Sequence, residues 1–227
     1  MQPYLFPYIG YFQLVHAVDR FVVYDDVTFI KQGWINRNRV LINGHSSYFS
    51  VPVKHASSFT LIRDTLIGDD ARWVEKALQT LDNAYRRAPE FGQVFPMVEA
   101  VLTRSTSRIA ELALASLEAV AQFLDIQTEW VKSSTRYGNA HLKGEERVLA
   151  ICKAEGASEY VNASGGRELY ERARFEAEGL SLRFLQPGPI AYSQFKDPFV
   201  PWLSIVDVLM FNPRETVRGF LNAYDLT

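Results

Sequence analysis

Apolar positions follow three regimes along the chain. Over residues 1–68 they come as short, aromatic-rich runs. Phe21-Val22-Val23-Tyr24, closed by Asp25-Asp26, has the β-branched and aromatic content of a buried strand. Residues 36–42 and 48–53 flank Asn43-Gly44, a dipeptide that favours a two-residue hairpin turn. Pro52 places the returning strand near an edge or a strand end. Between residues 70 and 125 the period becomes helical. Trp73, Ala77, Leu78 and Leu81 share one face, and beyond Pro89 the apolar positions from Val98 to Leu124 recur at spacings of three and four. This predicts a two-helix insert packed on the core. From Ile126 onward, strands at 126–131, 159–162 and 182–185 alternate with helices at 145–153 and 166–178, which stop at Gly156 and Gly179. Helices at 204–211 and 213–224 close the chain. Ser204-Ile205-Val206-Asp207 predicts a capping box with Asp207 reaching back, and Asn212-Pro213 predicts a second N-cap. Strand, helix and strand in short alternation signal parallel, right-handed crossovers. The expected fold is a single α/β domain over 1–227, three-layered, with a mainly parallel sheet, helices on both faces and the helical insert at about 70–125.

Composition agrees with a globular chain: 227 residues, 48% apolar and 22% charged, enough to bury a large core. A formal charge of -2 supplies no basic excess for sequence-independent nucleic-acid binding, so no nucleic-acid partner is expected. Cys152 is the only cysteine, which excludes an internal disulfide and a thiolate metal cluster; it falls on the apolar side of its helix and reads as an inert thiol. Histidines 16, 45, 55 and 141 show no ligand spacing. The apolar runs are too short to span a membrane, and the opening residues do not form a signal peptide, so a cytoplasmic protein is expected.

Candidate chemistry concentrates near the start. Gln2-Pro3-Tyr4-Leu5-Phe6-Pro7-Tyr8-Ile9-Gly10-Tyr11 is a proline-stiffened loop leading into a short helix. A loop entering a helix beside a parallel sheet suits a phosphate or carboxylate, which nominates Gln2, Tyr8, Gly10 and Tyr11. The spacing is similar to that of the adenylyl-transferring enzymes with a His-x-Gly-His loop, with Tyr8 and Tyr11 in place of both histidines. In Lys31-Gln32-Gly33-Trp34-Ile35-Asn36-Arg37-Asn38-Arg39, strand alternation puts Arg37 and Arg39 on one face and Asn36 and Asn38 on the other. Paired guanidinium groups suit a pyrophosphate, with Lys31 adding charge and Trp34 a stacking surface. Asp25 and Asp26, at the expected carboxyl end of a strand, could hold Mg²⁺ or act as general base. Asn162, Ser164, Gly165 and Gly166 form a second candidate anion nest after a strand, and Lys143 opens the preceding helix.

Three of these runs are distinctive together: Gln-Pro-Tyr-x-x-Pro-Tyr-x-Gly-Tyr-Phe, Asp-x-Phe-Val-x-Tyr-Asp-Asp-Val and Gly-Trp-x-Asn-Arg-Asn-Arg. With Arg147-Val148-Leu149-Ala150-Ile151-Cys152, Tyr160-Val161-Asn162 and the run Leu203 through Asn212, the chain resembles the WbqC-like protein family almost throughout. The resemblance implies a place in bacterial surface-polysaccharide (O-antigen) biosynthesis. It also implies that a few apolar residues usually precede the glutamine, so that a first strand is cut short here. The expected function is an enzyme, a transferase or an amide-forming ligase working on a nucleotide-linked amino sugar. Asp25, Asp26 and Tyr11 are its catalytic candidates, and ATP or a nucleotide sugar with Mg²⁺ its candidate cofactors. The alternative is a non-catalytic sugar-nucleotide-binding accessory protein of the same pathway.

Overall fold

A computed structural model describes every residue except 55, 56, 58, 71 and 197. His55 and Ala71, which fall within the histidine set and the predicted helical segment, lie outside the described residues. The opening loop enters α1 (Ile9–His16), which leads to β1 (Arg20–Val22). The Asn-Gly hairpin forms as expected from β2 (Arg37–Ile42) and β3 (His45–Ser50), with both turn residues left-handed (Asn43 φ 51°, Gly44 φ 75°).

Where two helices were expected, the described residues form three: α2 (Trp73–Tyr85), α3 (Phe91–Leu102) and α4 (Ile109–Phe123). The polar run Thr103-Arg104-Ser105-Thr106-Ser107 breaks the long helical pattern, and the Arg108 amide donates to Thr106 Oγ1 just before α4. Helix α4 is apolar on nearly every side and packs into the same core as Phe6, Phe12, Leu14 and Met210.

The second half runs β4 (Glu129–Val131), α5 (Gly144–Ala154), β5 (Glu159–Ala163), α6 (Arg172–Ala177), β6 (Ser181–Pro187), α7 (Ile205–Phe211), α8 (Arg214–Phe220) and β7 (Tyr224–Leu226). The helix expected at 166–178 is divided into a 3-10 turn at Ser164–Leu169 and α6, and the last residues turn into a strand instead of extending α8. Gly156 and Gly179 end their helices at positive φ as the sequence predicts (63° and 73°).

The fold is mixed α/β, but among the described residues no single, mainly parallel sheet forms. Instead β1 and β4 pair in parallel, β2 and β3 make a separate antiparallel hairpin, and β6 pairs in parallel with β5 and antiparallel with β7. The break falls between β1 and β5, which face each other across a cleft without a hydrogen-bonded ladder.

Ser204 caps α7 by accepting from the Val206 amide (3.2 Å). Asp207 does not reach back to close a capping box: it is buried and accepts from Tyr85, Tyr192 and Gln194. Asn212 is likewise no N-cap for α8. Its amide donates to the Val208 carbonyl (2.8 Å), ending α7, and Pro213 takes the cap position.

Candidate functional site

The opening loop is held by bonds from four distant elements. The Phe6 amide donates to Ser116 Oγ in α4 (3.0 Å), and the Leu5 amide to the Trp34 carbonyl (3.3 Å). Asn38 Nδ2 donates to the carbonyls of Leu5 and Phe6 (3.2 and 3.0 Å), and Ser204 Oγ to Phe6 (2.7 Å). This bracing holds Phe6 at φ 40°, in the left-handed region that a buried aromatic residue rarely adopts. The bend sets Pro7 against α7, where the Ile205 amide donates to its carbonyl (2.8 Å), and turns Tyr8 outward.

Tyr8 packs against Trp202 (ring centroids 5.9 Å), itself left-handed at φ 61° and 58% exposed. Strand alternation buries Asn38 and Val40 and leaves Arg37 and Arg39 on the open face of β2. Arg39 lies over the Trp34 ring (5.5 Å) and donates to the Trp202 carbonyl (3.1 Å). Arg37 lies over the Tyr48 ring (4.4 Å) and donates to the carbonyls of Gly33 (3.1 Å) and Gln32. Trp34 and Tyr48 stand 6.3 Å apart, closing a continuous face of exposed rings and two cations. Backbone carbonyls take the hydrogen bonds of both guanidinium groups, so their charge is not neutralised by these partners. Lys31 is exposed on the adjoining turn, whereas Asn36 donates to the Val51 carbonyl (2.8 Å) and serves the hairpin.

Tyr48 and Trp202 were not among the sequence candidates. Tyr48 was within reach of the argument, because the Asn-Gly turn fixes a register that sets it opposite Arg39. Trp202 carries no local signal; only the fold brings it to Tyr8 across almost the whole chain.

Other candidates stand apart from this face. Gly10 serves packing: a Cβ there would lie 2.3 Å from the Tyr8 ring. Tyr11 is buried and donates to the Gln2 carbonyl (2.7 Å). Burial, with Tyr4 adding a lesser push, holds its hydroxyl well above the ordinary phenol range. Asp25 and Asp26 follow β1 as expected but point into a buried network. Asp25 Oδ1 accepts from Ser133 Oγ (2.8 Å) and from the amide and hydroxyl of Ser134 (3.1 and 3.3 Å). Asp26 pairs with Arg147 (2.5 Å) and accepts from Ser134 Oγ. Arg147 also donates to Asn139 Oδ1 (3.0 Å) and covers the Tyr24 ring (4.8 Å). A carboxylate already matched to a guanidinium and a hydroxyl fits a structural tie better than a Mg²⁺ ligand or a free base. Among the described residues, no group of three or more His, Cys, Asp or Glu side chains could hold a metal ion.

Gln2, Asn162, Gly165 and Gly166 line the cleft of about 810 Å³ between β1 and β5. Asn162 Oδ1 accepts from the Ala163 amide (2.8 Å), and a Cβ on Gly166 would meet its Nδ2 at 2.8 Å, so this glycine makes room for the asparagine. Ser164 opens the 3-10 turn, and exposed Lys143 occupies the N-cap of α5; neither lines the cleft. Cys152 lines its wall, its thiol pushed up to about 11 by burial. Among the described residues, no helix is long and apolar enough to cross a membrane.

Comparison with known proteins finds no match among solved structures. The chain is 32% identical over 211 residues to the uncharacterized protein Rv1507c of Mycobacterium tuberculosis, covering 91% of this chain and 89% of that one. The WbqC-like protein family matches over residues 2–219, taking in the opening loop, the arginine strand, both sides of the cleft and α7. The chain belongs to the WbqC-like protein family.

Proposed function

We propose that this protein binds a nucleotide-linked sugar on the face formed by Tyr8, Trp34, Arg37, Arg39, Tyr48 and Trp202. The observation that carries the reading is the pair of guanidinium groups, each laid over an aromatic ring and bonded to main-chain carbonyls. Stacking pre-orients the two planar forks, and a pyrophosphate can take their remaining N–H groups. Exposed indole and phenol rings beside them offer surfaces for a base or the apolar face of a sugar. Surface-polysaccharide assembly is the pathway that the family resemblance suggests. Within it, the geometry favours the non-catalytic binding role over the transferase or ligase, because Asp25, Asp26 and Tyr11 are committed to buried hydrogen bonds away from this face.

Calorimetric titration with UDP-N-acetylglucosamine tests the reading. A hydrogen bond to a charged group is worth about 1.5–3 kcal/mol, so Arg37→Ala and Arg39→Ala should each weaken binding roughly 10- to 100-fold. The pair together should bring it below detection while the protein stays folded. Unchanged affinity in the double variant, or no binding by the parent protein, would remove the face from consideration. Steady turnover of the sugar nucleotide in the presence of an acceptor would restore the enzyme reading.

A further inference from the structure

The carboxyl ends of β1 and β5 meet at one end of the cleft. Arg20, at the start of β1, pairs with Glu129 at the start of β4 (2.7 Å) and with Glu155 just beyond α5. Tyr24, just past the end of β1, lies instead under Arg147 near the start of α5, 4.8 Å from guanidinium to ring. Helix α5 therefore runs against β1, and β5, which follows after a tight turn at Gly156, runs with it. Crevices outside the carboxyl ends of such strands are where α/β proteins hold their ligands.

Gln2, Tyr24, Asn162 and Tyr170 line this end, together with Gly165 and Gly166. Burial raises the Tyr24 phenol, Arg147 opposes the rise, and Asp26 and Tyr170 add to it, so the two phenols approach from opposite walls as protonated donors. The Tyr160 hydroxyl donates to Tyr170 Oη (3.5 Å), which leaves the Tyr170 proton to be given elsewhere. The Ala163 amide already fixes Asn162 Oδ1, and its Nδ2 remains as a donor beside Gly166. A Cβ on Gly165 would meet no atom within 4 Å, so main chain is open to approach there. Gln2 Oε1 is buried with no hydrogen-bond partner among the described residues, which costs stability unless a donor is supplied.

Charge limits what can enter. Among the described lining residues the one cationic side chain, Arg20, bridges Glu129 and Glu155 at the far end, where Asp19 and Glu159 add further carboxylates. A phosphate finds no free cationic side chain in this lining. Two carboxamides and two phenols instead offer donors and acceptors side by side, the pattern that neighbouring sugar hydroxyls require. Ile30 and Leu169, 52% and 69% exposed, give the rim an apolar surface. The geometry points to a second binding site, for an uncharged pyranose sugar, at Gln2, Tyr24, Asn162 and Tyr170. It is separate from the guanidinium–aromatic face and does not depend on it. A rotation of the Gln2 amide gives Oε1 a sugar hydroxyl to accept from, while Asn162 Nδ2 and the two phenols donate to sugar oxygens.

The test titrates the protein with glucose, galactose, mannose and N-acetylglucosamine. It follows the side-chain amide resonances of Gln2 and Asn162 and the backbone amides of Gly165 and Gly166. At least one sugar should move all of them saturably, and UDP-N-acetylglucosamine should leave them in place. Gln2→Leu removes an acceptor that lacks a partner, so it should hold or raise Tm while weakening the sugar at least about tenfold. Tyr170→Phe, which keeps the ring and loses the hydroxyl, should weaken the same sugar. The proposal is overturned if none of the sugars moves these resonances, or if binding survives Gln2→Leu unchanged. A lower Tm in Gln2→Leu, or sugar-induced movement of the Trp34 and Trp202 indoles in place of these amides, overturns it as well.

Discussion

Replacing Arg147 by methionine is expected to cost about 3–5 kcal/mol of stability, the usual penalty for stranding one member of a buried ion pair. Both partners are almost fully enclosed, with side-chain exposures of 3% for Arg147 and 4% for Asp26. The substitution leaves a buried carboxylate with the Ser134 hydroxyl and no countercharge. It also frees Asn139 Oδ1 and uncovers the Tyr24 ring. For a chain of this size, Tm should fall by roughly 6–20 °C at neutral pH. Adding Asp26→Asn to Arg147→Met should recover a substantial part of the loss, since the stranded charge is then gone. A single variant melting within about 2 °C of the parent would show that the pair does not tie β1 to α5.

The second large effect belongs to Asp207. Its carboxylate accepts from Tyr85 (2.9 Å), Tyr192 (2.6 Å) and Gln194 (2.6 Å), and Tyr85 Oη accepts in turn from the Leu41 amide (2.8 Å). One side chain thereby joins α7, α2, β2 and the segment before α7. Asp207→Ala leaves three donors to find other partners inside the core, at a cost of about 2–4 kcal/mol. That cost should depend on pH. Burial raises the carboxyl above its ordinary value, and the three hydrogen bonds only partly oppose the rise. Below the unfolded-chain value of 3.8 the group is protonated in both states and folding carries no ionisation penalty. As pH climbs through the window from 3.8 to the raised folded value, only the unfolded chain ionises, and the parent protein loses stability. The alanine variant lacks that loss. Its deficit in Tm should therefore be greatest in acid and narrow toward neutral pH. A deficit that widens with pH instead would mean that the buried carboxylate is stabilised by its donors overall.

Local chemistry made several elements readable. Asn43-Gly44 determined the hairpin and its register, Gly156 and Gly179 marked two helix ends, and alternation separated Arg37 and Arg39 from Asn38. What could not be read depends on contacts between distant residues. The partners of Asp25 and Asp26 come from the segment after β4 and from α5, more than 100 residues away. Two adjacent acids look the same in sequence whether they meet a metal or an arginine. Asp207 matched a capping box in spacing, but buried donors from Tyr85 and Tyr192 outcompete a solvent-side cap. The division of the sheet was hidden because β1 and β4 are only three residues long, and a strand pattern does not say which edge finds a neighbour. Within the candidate site, Tyr8, Trp34, Arg37 and Arg39 were identified from the sequence, whereas Trp202 required the fold.

The chain's four tryptophans permit a direct test of where ligand binds. Trp34 and Trp202 belong to the guanidinium–aromatic face, Trp130 packs on Phe21 beside the cleft (5.3 Å between rings), and Trp73 opens α2. Indole ¹⁵N–¹H resonances followed during titration with UDP-N-acetylglucosamine should move for Trp34 and Trp202 and stay in place for Trp73 and Trp130. Movement of Trp130 with Trp34 and Trp202 unchanged would contradict the account and place the sugar nucleotide in the cleft.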